Sequence, residues 1–256
     1  MIQLESITYA YQPGVPIFQA FSWLAGRGQS WAVLGPSGCG KTTLLYLLAG
    51  LRFPSAGILR VDGEAVTRPR PRTGLILQEY GLLPWATVQQ NAALGLRLRQ
   101  FYGPDGKHAP LQPVPNGSVA AWLERLGLAE HAGKFPGQLS GGQRQRTAIA
   151  RTLALKPDLL LMDEPFSSLD APTRESLQNL ILELKREQGL TLVTVTHAIE
   201  EAAVLGEKIL LLSQPPNRLA EVIENPGSGA PGYRSSSEYN AMCSRLRSLM
   251  RGEAVA

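Results

Sequence analysis

SWAVLGPSGCGKTTLLYLLAG, residues 30–50, reads as a strand, a glycine-rich turn and a helix. Inside it, GPSGCGKT at 35–42 fits G-x-x-x-x-G-K-[ST]. The flanking strand and helix are the context that makes this pattern a phosphate loop. Its glycines let successive backbone N–H groups point inward around an anion. Lys41 adds a point charge, and the Thr42 hydroxyl is placed to ligate Mg²⁺. Gly50 is well placed to end the helix. An α/β core that binds a nucleotide is therefore expected, and the rest of the chain is read outward from this loop.

Upstream, residues 1–34 alternate apolar and polar, with turn signals at Pro13–Gly14 and Gly26–Gly28. They predict strands. Downstream, GILRVDG at 57–63 and TGLILQ at 73–78 read as further strands. From about residue 82 to 138 the strand pattern stops. VQQNAALGLRLRQ and SVAAWLERLGL have helical periodicity and are separated by a loop at 103–117 with four prolines. A helical insertion is expected there. A helix in LSGGQRQRTAIARTLAL, the buried-strand run LLLMDEP, a helix at 173–188 and the strands LTLVTVTH and KILLLS follow. Strands alternating with helices imply a mainly parallel sheet covered on both faces. The tail from Pro226 is rich in Gly, Ser and Pro, and Tyr239, Met242, Leu246 and Leu249 form one possible helix face, read as a small packing stripe.

With 256 residues, 44% of them hydrophobic and 18% charged, the chain is long and apolar enough to bury a core. The net charge of +4 comes without any block of five or six like charges, so nucleic acid is not expected as a partner. Cys39 and Cys243 have no metal-like spacing, and Cys39 lies inside the phosphate loop, which favours a reducing compartment. The start MIQLESITYAYQ has neither a basic nor an apolar leader region, and no apolar run approaches the ~20 residues of a membrane span. A soluble chain is expected.

LSGGQRQR at 139–146 looks like a second helix start aimed at an anion. Ser140 and Gln143 have the S-x-x-Q spacing of a capping box. Gly141 and Gly142 in the first turn each cost about 1 kcal/mol relative to alanine, a cost that suits a site where a ligand approaches the backbone. In LLLMDEP, strand alternation is expected to turn Asp163 and Glu164 to opposite sides. Asp163 then suits a metal shell and Glu164 a general base acting on water. Gln78 and His197 each end a strand, at the edge where open α/β sheets bind ligands. Tyr11 offers a ring for stacking.

The phosphate loop, Gln78, LSGGQ, Asp163–Glu164, SSLD at 167–170 and His197 occur in the order and spacing of the ATP-binding cassette (ABC) transporter ATPases, and the chain to about residue 225 resembles that family. The resemblance implies an α/β P-loop NTPase core with a mainly parallel sheet, an N-terminal antiparallel β part and an inserted helical subdomain. It implies a core at 1–81 and 139–225, a helical subdomain at 82–138 and a tail at 226–256. It assigns ATP contacts to Tyr11, to Gly35, Pro36, Ser37, Gly38, Cys39, Gly40, Lys41, Thr42 and Thr43, and to Gln78. Mg²⁺ falls to Thr42, Gln78 and Asp163, and catalysis to Glu164 and His197. Ser140, Gly141, Gly142, Gln143 and Asp170 are implied to serve the ATP held by a second copy, so that two ATP molecules lie between two head-to-tail chains.

The stretch EYGLLPWATVQQNAALGLRL, residues 79–98, is similar to the subunits of nitrate, sulfonate, taurine and thiamin-precursor importers. That likeness implies two integral-membrane permease subunits, a periplasmic solute-binding protein, and a peripheral place on the cytoplasmic face of the inner membrane. Trp85 then has two readings, a docking groove for the membrane subunit or a core position. The proline-rich loop is a departure, because relatives carry a shorter charged connection there. A soluble ABC ATPase of DNA repair or translation is the alternative. Such proteins carry a long coiled-coil insertion or two cassettes, whereas this chain has one phosphate loop and a modest insertion. A P-loop kinase would need neither LSGGQ nor His197.

Overall fold

The computed structural model describes residues 1–102 and 117–251. Most of the proline-rich loop lies outside the described residues. The strands are β1 (Ile2–Gln12), β2 (Val15–Ala25), β3 (Ser30–Leu34), β4 (Ala56–Val61), β5 (Glu64–Ala65), β6 (Thr73–Ile76), β7 (Leu159–Asp163), β8 (Thr191–Thr196), β9 (Lys208–Leu211) and β10 (Glu221–Glu224). The α-helices are α1 (Lys41–Leu48), α2 (Val88–Tyr102), α3 (Gly117–Arg125), α4 (Gly141–Leu153), α5 (Ala171–Gln188), α6 (Ile199–Leu205) and α7 (Ser237–Met250). They fall into two compact units. One comprises Met1–Arg70, Leu161–Glu164 and Gln178–Ala256; the other comprises Pro71–Leu160 and Pro165–Leu177.

The first unit holds two sheets. An antiparallel sheet runs in the order β2-β1-β4-β5, with Leu4 opposite Trp23 on one side and Leu59 on the other. Ser6 and Ala20 adopt left-handed backbone angles where the register shifts, which is how an inserted residue bends a ladder. The second sheet carries β10-β9-β3-β8-β7 in order. There β3 is parallel to both β8 and β9, while β10 pairs antiparallel as the edge strand. Every residue of β3, β7 and β8 is buried, as expected for parallel strands covered on both faces.

The tail completes this unit's core. The Ser236 side chain caps α7 by accepting the Tyr239 N–H at 3.1 Å. Cys243 and Leu246 then enter a cluster with Ala32, Leu34, Ala202, Ala203, Ile209, Leu211 and Ile223, and Tyr239, Met242 and Leu249 pack against it. The packing stripe expected from the sequence is thus part of the core. Burial pushes the Tyr239 hydroxyl up to about 12 and raises the Cys243 thiol. Both cysteines are free and buried.

The second unit contains β6 beside the first residues of β7, together with α2, α3, α4 and the start of α5. Among the described residues of 82–138 there is no strand, in line with the helical insertion. Thr87 and Gln90 form a capping box for α2, at 2.9 and 3.3 Å. The buried Asn91 side chain donates to the carbonyls of Leu83, Ala86 and Thr87 and accepts the Leu83 N–H. That network fixes the loop leading into α2, and on it Trp85 stands 74% exposed. The core reading of Trp85 is therefore wrong. Gln78 does not end its strand, because β6 stops at Ile76. The chain turns instead through left-handed Tyr80 and Gly81, whose carbonyls both accept from the Arg151 guanidinium at 2.7 and 2.6 Å.

Leu246→Ala is expected to lower unfolding stability by about 2–5 kcal/mol, the cost of emptying a core leucine site. Leu249→Ala, on the same face but only partly buried, should cost less. Urea titration of both variants tests this, and an unchanged midpoint for Leu246→Ala would remove the tail from the core.

Candidate functional site

Parallel pairing brings the functional segments of the first unit together. Leu34 lies opposite Thr196, so the loop after β3 and His197 leave the sheet side by side. The Glu164 N–H donates to the Val195 carbonyl at 2.9 Å, which brings the end of β7 to the same edge. A cleft of about 610 Å³ opens there, lined by Ser37, Gly38 and Gly40 of the loop and Lys41, Thr42 and Thr43 of α1, together with Tyr11, Ile17, Glu164 and His197. That volume suits a nucleotide-sized ligand.

Gly40 has φ +107°, and a Cβ there would stand 2.5 Å from the Ile17 side chain, so only glycine fits. Lys41 is buried, and its ammonium donates to the carbonyls of Gly35 and Pro36 at 2.8 and 3.0 Å. Cys39 is fully buried and does not line the cleft; burial raises its thiol, which suits packing rather than reactivity. Asn217, which the sequence reading missed, braces the loop. Its amide donates to the Cys39 carbonyl at 2.7 Å and the Ile17 carbonyl at 3.2 Å. A lone asparagine 178 positions away from its partner leaves no local signal.

The Thr42 hydroxyl donates to Asp163 Oδ1 at 3.1 Å. Burial pushes the Asp163 carboxyl up from its usual range; the Thr42 hydrogen bond and Lys41 oppose that rise, and the neighbouring Glu164 charge adds to it. A carboxylate and a hydroxyl this close are hard oxygen donors for Mg²⁺, leaving further positions to phosphate oxygens and water. Glu164 departs from the expected strand alternation. β7 ends at Asp163, and Glu164 takes φ +44°, so backbone reversal rather than pleating aims its side chain. Its Oε1 lies 3.0 Å from His197 Nδ1. A carboxylate only accepts, so Nδ1 carries the proton in this pair.

Tyr11 is half exposed at the mouth of the cleft. Its hydroxyl is 3.4 Å from Thr43 Oγ1, and its ring meets Tyr9 edge-on at 5.1 Å. The Arg52 guanidinium stands 5.9 Å from the same ring, a neighbour that sequence reading did not find.

In the second unit the capping box forms as read. Gln143 N–H donates to Ser140 Oγ at 3.2 Å, and Ser140 N–H donates to Gln143 Oε1 at 3.0 Å. Ser140 itself is exposed. Gly142 has a reason within the chain: a Cβ there would meet the Thr173 methyl at 2.6 Å. Asp170 accepts the Thr173 N–H at 3.3 Å, and hydrogen bonds from Thr173 hold its carboxyl below the ordinary range. Gln78 and Ser167 share a depression of about 360 Å³ with Tyr80, Arg144 and Ser168.

A family model described as ABC transporter matches residues 18–167. A taurine import ATP-binding protein of Yersinia pestis is 43% identical over 221 residues, covering 86% of this chain and 83% of that protein. An aliphatic sulfonates import ATP-binding protein of Bacillus cereus is 39% identical over 211 residues, covering 82% and 79%. Among solved structures, a dimeric ATP-binding cassette in a post-hydrolysis state, bound to ADP and Pi, superposes with TM-score 0.73 at 29% identity, covering 88% of this chain and 98% of that one. The phosphate-loop cleft, the mainly parallel sheet that positions it and these likenesses agree: the chain belongs to the ABC transporter family and is one of its ATPases.

Proposed function

We propose that this chain is the ATP-hydrolysing subunit of a bacterial importer for a small organic sulfonate. It works as a homodimer on the cytoplasmic face of two membrane subunits, which a periplasmic binding protein feeds. The observation that carries the catalytic part is the convergence of Lys41, the Thr42–Asp163 pair and the Glu164–His197 pair on one cleft edge. The sulfonate class rests on the likeness to taurine and aliphatic-sulfonate import proteins. In this assignment 1–81 and 139–225 form the ATPase core, 82–138 receives the membrane subunit, and 226–256 is a packing tail.

The chemistry follows from the side chains. Lys41 and backbone N–H groups of the phosphate loop gather phosphate charge, and the Tyr11 ring takes the adenine face. Thr42 and Asp163 would hold Mg²⁺, which would supply charge neutralisation to the phosphates. Glu164 accepts a proton from the attacking water. His197, held through Nδ1 by Glu164, contacts the terminal phosphate. Ser140 with the N–H groups of Gly141 and Gly142, together with Gln143 and Asp170, complete the site of a second copy, because a helix start favours an anion.

Lys41→Ala is expected to weaken ATP binding itself, whereas Glu164→Gln should bind ATP normally and turn over slowly. Fluorescent-nucleotide titration beside steady-state ATPase assays separates the two, and equal loss of affinity in both would refute these roles.

Nucleotide should also act as glue between two chains. Charge-assisted hydrogen bonds contribute roughly 1.5–3 kcal/mol each. Glu164→Gln with Mg–ATP is therefore expected to run as a dimer by light scattering, and adding Ser140→Arg should return it to monomer while ATP stays bound. A stable dimer in the double variant would sink the sandwich.

Co-purification in mild detergent should bring down two membrane subunits, and their binding protein should take taurine or an alkanesulfonate. Trp85→Ala is expected to lose that co-purification while the isolated chain keeps its ATPase activity. Capture of no integral membrane protein by the wild type would overturn the importer reading.

A further inference from the structure

Beside the cleft, Glu201 is a carboxylate only 5% exposed, and the steps above do not use it. Burying a charge is costly without partners. Glu201 Oε2 accepts the Thr196 hydroxyl at 2.7 Å, and the same hydroxyl oxygen accepts the Ala198 N–H at 3.0 Å. Thr196, the last residue of β8, is 2% exposed. His197 therefore sits between two residues joined through one hydroxyl, at the point where the chain leaves the sheet for α6. Ala198 is the N-cap of α6 and offers no side-chain cap of its own.

A threonine hydroxyl has one proton and rotates freely unless something claims it. Glu201 claims it here, which leaves a lone pair aimed at the Ala198 N–H and closes a tight turn around His197. On the far side His197 Nδ1 meets Glu164. The imidazole is thus fixed from the backbone by one carboxylate and from the ring by another.

We propose that Thr196 and Glu201 are positioning residues for ATP hydrolysis, acting through His197. The proposal rests on the phosphate-contact role given to His197 above. The test uses the full chain and compares Thr196→Val, which removes the hydroxyl at constant shape, Thr196→Ser, which keeps it, and Glu201→Gln. Each is made alone and with His197→Ala, with kcat, the KM for ATP and the melting temperature recorded.

Small displacements at a reacting centre cost up to about a hundredfold in rate. Thr196→Val and Glu201→Gln are expected to lose kcat on the order of tenfold to a hundredfold, with the KM for ATP held within about twofold. Thr196→Ser should retain wild-type turnover. In the His197→Ala background neither change should lower kcat further. Glu201→Gln carries the test alone if Thr196→Val does not fold. Wild-type kcat in both single variants, or a loss that persists without His197, would overturn the proposal and leave the pair a support of the fold. Full activity of His197→Ala would instead overturn the role of His197 itself.

Discussion

The register between β3 and β8 is the constraint on which the site depends. Leu34 faces Thr196, so Gly35 and His197 emerge next to one another. A slip of one residue would turn every side chain of a strand to the opposite face. With both strands buried on both faces, no such slip keeps the core packed. The Val195 carbonyl then takes the Glu164 N–H. Three segments that are not neighbours in sequence are thereby held at one edge by backbone pairing alone, before any functional side chain is considered.

Holding the site there has a conformational and electrostatic cost. A left-handed backbone at a residue other than glycine costs of order 1–3 kcal/mol, and Glu164 adopts one. Asp163 and Lys41 are both buried beside it. The offsets are local: the Val195 carbonyl, the Thr42 hydroxyl, His197 Nδ1, and the carbonyls of Gly35 and Pro36. Each satisfies one strained or charged group where the chemistry is concentrated.

In the second unit a helix start is left at the surface. α4 opens at exposed Ser140, with its own capping box closed, while Gly142 tucks against Thr173. Towards its other end, Arg151 grips the turn that follows β6 by two successive carbonyls. One helix therefore links the LSGGQ start to the turn after Gln78, and Tyr80 extends the link to Ser168 by a 2.7 Å hydrogen bond.

Where a feature depends on neighbours in the chain, it was legible. The phosphate loop, the Ser140–Gln143 box, the buried run of β7 and the apolar face of α7 are patterns of period or spacing within a few residues. The Thr87–Gln90 box has the same local signature and was there to be read. α6 was overlooked because its seven residues are too short for a clear helical period. Other features depend on chain segments that meet only after folding, so no sequence period records them. Trp85 is exposed because Asn91 organises the loop beneath it. Gln78 lies past its strand because Arg151 captures the turn beyond. Glu164 is aimed by a left-handed turn rather than by strand alternation. Asn217, Arg52 and the Thr196–Glu201 pair join the site through contacts of tertiary origin. Local spacing determined which chemistry the chain carries, and long-range backbone pairing decided where each group points, because a hydrogen bond between distant segments exists only once the sheet has formed.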